Sequence, residues 1–387
     1  MFTGPATVAL CLVLTGCGLV PDVSFEDDSP WWNSDFSHRL RIDINTPDGV
    51  QPLSDAPVMV KLDPERFAYE DAAADGADLR FVASDQTTVL AHEFETWRRP
   101  PDAASVIWVR LPLMSHDSDE HFYPYYGNER AESGPNPADV WSDNFVGVYH
   151  LSDPIPSPSE GEQDIIADST GNSHNGRDDG SLGAEQATIG PLGGALSFGP
   201  GTDDRVVIDD QQAFAPRART ILTIEAWFRA DQRNVDRFIF WREASCRGFR
   251  FFIGDNGLLF GLLATTDNDN CTDAYTPGYA AQPGGARFDD GQWHYVVVVV
   301  NRSAGTMTGY GDGAELFSVR IDTERMAADG QVRLGNDIYN IASQPMALDE
   351  VRISHQARDE QWVAAQYRSM TDDLLQFGAI EDVPSDP

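Results

Sequence analysis

Five consecutive valines, Val296 to Val300, constrain this chain more than any other feature. A β-branched run without polar alternation fits a strand buried on both faces, so something must cover each side of it. The other apolar runs are short. His38-Arg39-Leu40-Arg41-Ile42-Asp43-Ile44 alternates with the period of two expected of a half-buried strand. Further strands are expected at 58–62, 79–83, 106–111, 122–126, 146–151, 205–208, 222–229, 238–241, 249–253, 258–263, 294–301, 307–311, 331–334 and 347–354. Asp255-Asn256-Gly257, Asp290-Gly291 and Asp312-Gly313 are strong tight-turn signals between them. One helix is expected, Asp359 to Met370, with Trp362, Ala365, Gln366 and Met370 on one side. This pattern reads as all-β, two β-sandwich domains with a short C-terminal helix, and disfavours a parallel α/β sheet.

Charge narrows the partners. Lys and Arg number 27 against 62 Asp and Glu, a formal net charge of −35 over 387 residues. Repulsion from phosphate argues against nucleic acid, and an anionic membrane surface would repel the chain as well. Any membrane link is therefore expected to be apolar or covalent. Lys61 is the only lysine.

The N-terminus offers such a link. Residues 6–16 form an apolar run too short to span a bilayer but suited to a signal peptide. It ends in Leu14-Thr15-Gly16-Cys17, which resembles the bacterial lipobox. That resemblance implies a signal peptide at 1–16, cleavage before Cys17, lipid on its thiol and an acidic tether at 17–30. By the sorting rule of enteric lipoproteins, Gly18 in place of Asp after the cysteine would favour the outer membrane. The departure is that no Lys or Arg precedes the apolar run, and the alternative is an ordinary secretory signal. Once Cys11 and Cys17 are set aside, Cys246 and Cys271 remain, an even pair in an oxidising compartment. A disulfide between them would close a loop of about 25 residues, worth roughly 3 kcal/mol. The alternative is two free thiols.

Two resemblances follow from ordered motifs. Trp31-Trp32, Ala56-Pro57-Val58-Met59-Val60, Gly76-Ala77-Asp78-Leu79-Arg80-Phe81, Glu93-Phe94-Glu95-Thr96-Trp97, Val106-Ile107-Trp108-Val109-Arg110-Leu111-Pro112 and Tyr125-Tyr126-Gly127-Asn128 occur within residues 31–130. They resemble an uncharacterised bacterial family known only as a domain of unknown function, found elsewhere beside ExbB-type proton-channel subunits or lectin-like domains. Residues 140–382 carry Val148-Tyr149-His150-Leu151, Asp168-Ser169-Thr170-Gly171-Asn172, Thr223-Ile224-Glu225-Ala226-Trp227-Phe228, Asp290-Gly291-Gln292-Trp293-His294 and Leu348-Asp349-Glu350-Val351-Arg352. These resemble the laminin G-like, pentraxin-like branch of the concanavalin A-like jelly rolls. The resemblance implies two stacked antiparallel sheets and recognition of glycan or protein ligands, although fold alone does not fix function.

The candidate cofactor is calcium. Asp168 to Gly176 gathers carboxylate, amide and carbonyl oxygens around two glycines, and Ca²⁺ takes six to eight oxygens at about 2.3–2.6 Å. Asp168 and Asn172 are the expected ligands, and the family resemblance adds Asp349. The alternative is a loop whose side chains cap their own backbone. His116-Asp117-Ser118-Asp119-Glu120-His121 reads as a solvated hairpin loop before a metal cluster. Catalysis finds little support. There is no Gly-x-Ser-x-Gly or His-Glu-x-x-His motif. Glu93-Phe94-Glu95 and Asp349-Glu350 do not reproduce the closely spaced acids of glycosidases on this fold, because adjacent strand residues point to opposite faces. Trp108, Trp227 and Trp293 are expected in the core. Trp97 and Trp241, with the arginines that follow them, are weaker candidates for an exposed site. The function expected is a lipid-anchored cell-envelope protein binding glycan or protein. The alternative is a structural or assembly component of an envelope complex, and a glycoside-acting enzyme comes last.

Overall fold

In the computed structural model the described residues are 30–46, 52–101, 104–115, 120–141, 144–155, 164–178, 182–199, 204–209, 213–214, 221–230, 237–244, 247–257, 259–265, 275–276, 287–321, 331–335 and 345–384. Cys17, Cys246, Cys271 and His116 lie outside them. Among the described residues every strand pairing is antiparallel, as the turn-punctuated runs required.

The first sandwich packs a five-stranded sheet on a three-stranded one. The larger sheet has the order Leu375–Asp382, His38–Ile44, His121–Tyr126, Arg80–Ala83, Val89–Leu90. The smaller has the order Leu53–Leu62, Ser105–Met114, His92–Thr96. Leu40, Ile42, Val58, Val60, Ile107 and Phe122 fill the space between them.

One strand of this sandwich comes from the far end of the chain. Leu375–Asp382 pairs with His38–Ile44 in the register Ile44↔Leu375 to His38↔Asp382. Residues up to 382 were expected in the second domain, but these last eight complete the first. The second sandwich is thus spliced between the seventh and eighth strands of the first. The strand gave little sequence signal, because most of its side chains are half-buried or exposed.

The second sandwich has two eight-stranded sheets. Leu222, Ile224, Val206, Ile208, Phe249 and Leu334 are among the side chains that fill its core. The valine strand, Trp293–Asn301, pairs with Ile221–Arg229 and Thr306–Gly311. Val296, Val298 and Val300 enter that core. Val297 and Val299 point the other way, into a third core shared with the first sandwich. Both faces of the strand are therefore covered, one by its own sandwich and one by the neighbour.

The third core explains why residues 31–387 form one compact unit. Met59, Val106 and Trp108 of the smaller sheet meet Trp227, Tyr295 and Val297 there. Helix Glu360–Met370 lies at this junction. Its N-cap Asp359 accepts a hydrogen bond from the Trp362 amide at 2.9 Å, satisfying a free N–H of the first turn. Trp362, Val363 and Met370 join the third core, while Ala365 reaches the core of the first sandwich. Gln366 donates to the Pro57 carbonyl at 2.9 Å, and Ser369 Oγ accepts from the Met59 amide at 2.7 Å. No helix among the described residues is long and apolar enough to cross a membrane.

Candidate functional site

The junction between the sandwiches is polar at one end, and a backbone irregularity puts the acids there. In strand Met346–Ser354, Trp227 opposes Asp349 but Glu225 opposes Arg352, so the strand carries an extra residue. Glu350 has φ +55°, the left-handed region that non-glycine residues seldom enter. The bulge resets the alternation. Leu348, Val351 and Ile353 enter the second sandwich's core, while Asp349, Glu350 and Arg352 serve the junction. The opposite-face argument against Asp349-Glu350 therefore fails at this bulge. Glu93 and Glu95, two residues apart on His92–Thr96, share the outer face of the smaller sheet.

His150, just beyond strand Phe145–Tyr149, joins these acids. Its Nδ1 lies 2.6 Å from Glu350 Oε2 and 3.8 Å from Glu95 Oε2, and its Nε2 lies 3.2 Å from Glu93 Oε2. Trp108 Nε1 donates to Glu95 at 2.9 Å, Ser169 Oγ donates to Glu93 at 2.7 Å, and Trp141 Nε1 also donates to Glu93. Arg352 donates to Glu350 at 2.9 Å and to Gln366 at 2.8 Å, with its guanidinium 4.2 Å from the Trp108 ring centre. Asp349 Oδ2 accepts from the Leu192 amide at 3.3 Å.

Burial and mutual repulsion divide these groups. Burial, with Glu350 and Asp349 nearby, pushes the Glu95 carboxyl well above the usual range. Burial and the Glu350 charge do the same to Asp349. Burial would raise Glu350 too, but His150 and Arg352 outweigh it and hold Glu350 low. Burial disfavours the His150 imidazolium, yet Glu350 and Glu93 hold its pKa well above the ordinary histidine value.

A cleft of about 280 Å³ opens beside this cluster. Lys61, Arg98, Ile189, Pro191, Met370 and Asp372 are among its walls, so the first sandwich, the 187–198 hairpin and the helix end all contribute. Gly190 and Gly193 also line it. A Cβ on Gly190 would sit 2.1 Å from Asp349 Oδ2, and one on Gly193 would sit 3.2 Å from Glu95 Oε1. At these two glycines the cleft's backbone wall lies against Asp349 and Glu95, with Thr96 beside Gly193.

The expected calcium ligands go to different places. Asp168 Oδ1 accepts from the amides of Val148 at 3.1 Å and Thr170 at 3.0 Å. Its Oδ2 accepts from Thr170 Oγ1 at 2.8 Å and the His174 amide at 2.9 Å. Asn172 Nδ2 donates to the carbonyls of Phe145 and Val146. Both side chains fasten the loop to strand Phe145–Tyr149 through these hydrogen bonds. Asp349 sits instead in the junction cluster. Cys246 and Cys271, the expected disulfide, and Cys17, the expected lipidation site, fall outside the described residues. Trp97 packs at a tilt against Phe94 and Tyr69, with its Nε1 donating to the Ala74 carbonyl, and Arg242 is buried. Of the tryptophans expected in the core, Trp108 and Trp227 are buried and Trp293 is half-buried beneath Arg229. The Glu95–His150–Glu350 grouping was missed because its members lie far apart in sequence. The paired Glu93 and Glu95 and the adjacent Asp349-Glu350 were the local signals.

Two family models match. One, described as a domain of unknown function (DUF2341), matches residues 75–153. The other, described as the concanavalin A-like lectin/glucanases superfamily, matches residues 200–364. The second sandwich is a concanavalin A-like domain. A search of curated proteins finds no match. Among solved structures, the binding domain of Paraclostridial Mosquitocidal Protein 1 is 16% identical with a TM-score of 0.44, over 59% of this chain and 52% of that one. The receptor-binding domain of botulinum neurotoxin C/D mosaic serotype is 13% identical with a TM-score of 0.43, over 58% of this chain and 51% of that one. The match spans about half the length of each of those chains.

Proposed function

We propose that the chain is a non-catalytic, lipid-anchored cell-envelope protein, placed at the outer membrane, whose concanavalin A-like sandwich binds a glycan or protein ligand. The cleft carries this reading. It is concave and lined by both sandwiches, and it mixes apolar surface with the chain's only lysine and Arg98. Ile189 at its rim is 79% exposed, an unusual place for an isoleucine unless something covers it. The non-catalytic part rests on burial. The side chains of Glu95 and Glu350 have no exposed surface, and Asp349 is likewise sealed, so a substrate in the cleft does not reach them. The anchor rests on Leu14-Thr15-Gly16-Cys17.

The test is a glycan-array and envelope-extract binding screen of residues 31–387, with and without Ca²⁺, alongside Lys61→Ala and Ile189→Asp. Specific binding lost in both variants supports the cleft. Binding untouched by either variant refutes it. Silence on glycans with one co-purifying envelope protein favours the assembly-component reading. Mass spectrometry of the mature N-terminus tests lipid on Cys17.

A further inference from the structure

The junction acids exceed what their partners neutralise. Glu93, Glu95, Asp349 and Glu350 face one buried guanidinium, Arg352, and one buried imidazole, His150. Burying a carboxylate without a counter-charge is costly, so such groups are paired, protonated or bound to metal. Glu93 and Glu350 are well provided with donors. The other two are not. Glu95 Oε1 and Asp349 Oδ1 are sealed from solvent and have no hydrogen-bond partner among the described residues. One ligand atom from each of Glu95, His150 and Glu350 lies within 4.8 Å of the others.

We propose that Glu95, His150 and Glu350 form a binding site for one divalent transition cation of the zinc class, with Asp349 as the neighbouring fourth acid. Imidazole with carboxylates suits zinc, whereas calcium prefers an all-oxygen shell. Ligands about 2.0–2.1 Å from a tetrahedral zinc lie roughly 3.3 Å apart, close to the 3.8 Å between His150 Nδ1 and Glu95 Oε2. The 2.6 Å from His150 Nδ1 to Glu350 Oε2 would lengthen as the cation replaces the proton between them. Binding balances as follows: the cation enters, His150 and the carboxyls release their protons, and no bond within the protein breaks. The cleft approaches the site at the backbone of Gly190 and Gly193, where a Cβ would lie 2.1 Å from Asp349 Oδ2 and 3.2 Å from Glu95 Oε1. The ligands come from both sandwiches, so the cation would bridge them. This inference does not depend on what the cleft binds.

The probe is Zn²⁺ alone, added to the full chain stripped with EDTA. About one equivalent should be retained after gel filtration, and the thermal midpoint should rise. Glu95→Gln keeps the Trp108 hydrogen bond but should weaken zinc at least roughly tenfold. Asp290→Asn, a change elsewhere on the surface, should leave retention unchanged. X-ray absorption of the zinc-loaded wild type should report one imidazole and oxygen neighbours, a readout independent of any variant's folding. No retained zinc with no change in midpoint overturns the proposal. So does equal retention by Glu95→Gln, or a shell without imidazole.

Discussion

Val299→Ala tests whether the two sandwiches share a real core. The side chain is 5% exposed and faces the junction, while its neighbour Val298, 2% exposed, faces the second sandwich. Each substitution removes two methyl groups, worth about 1.6 kcal/mol in transfer at ~0.8 kcal/mol each. The cavity left behind adds about 1 kcal/mol where the walls cannot collapse. The walls around Val299 belong to strands and a helix from both sandwiches, so they are as fixed as those around Val298. Both variants should therefore lose about 2–3 kcal/mol, a sizeable share of a typical ~5–15 kcal/mol stability. The assay is guanidinium unfolding of residues 31–387, followed by tryptophan fluorescence and far-UV circular dichroism. The two probes should coincide in one transition that both variants shift equally. If Val299→Ala costs less than about 0.5 kcal/mol while Val298→Ala costs the full amount, the junction behaves as surface and the argument fails.

Gly190→Ala should destabilise by about 1–3 kcal/mol, because its Cβ would sit 2.1 Å from Asp349 Oδ2; a wild-type melting midpoint would show that the hairpin can withdraw. His294 gives a pH dependence. Burial opposes its charged form, but hydrogen bonds to Asp312 at 2.7 Å and Asp290 at 3.0 Å outweigh that and raise its pKa. A raised pKa means the contribution is complete below about 6.5 and lost as pH rises through the folded value. Asp290, held low first by the Gln292 amide and then by His294, contributes above about 3.9. Melting midpoints should thus fall from pH 6 to pH 9, and His294→Gln should flatten that fall; an unchanged slope refutes the assignment. Asp168→Ala removes the acceptor of four hydrogen bonds and should cost about 1–3 kcal/mol equally in calcium and in EDTA. A loss of stability seen only in calcium would instead make Asp168 a metal ligand.

Much of the architecture was legible because the core faces are strongly apolar. The valine run announced a strand covered on both sides, and the Asp359–Met370 helix appeared with its inward residues correct, Gln366 included. Strands with weak apolar content were harder. Leu375–Asp382 alternates between half-buried and exposed positions, and Ala314–Arg320 lies at a sheet edge, so burial wrote little into either. The junction cluster was hidden for another reason. Its geometry depends on one left-handed residue, Glu350, and a bulge is a property of pairing that the residues flanking it do not announce. Strict alternation then places Asp349 and Glu350 on opposite faces, which is the reasonable reading of a strand without its partners.

The order of the larger sheet in the first sandwich has a mechanical consequence. His38–Ile44 is the first strand after the N-terminal segment, and it lies between His121–Tyr126 and Leu375–Asp382. Those two neighbours are the strands through which the chain leaves for the second sandwich and returns from it. A tug on the second sandwich, resisted at the N-terminus, is therefore divided between two hydrogen-bonded ladders on either side of one strand. The chain enters Leu375–Asp382 beside Ile44, at the far end from His38, so a pull along the strand loads that ladder in shear, whereas Tyr126 lies beside His38 and its ladder is loaded from that end. The seven residues His38–Ile44 thus act as a rivet between the two strands that carry the chain into and out of the second sandwich.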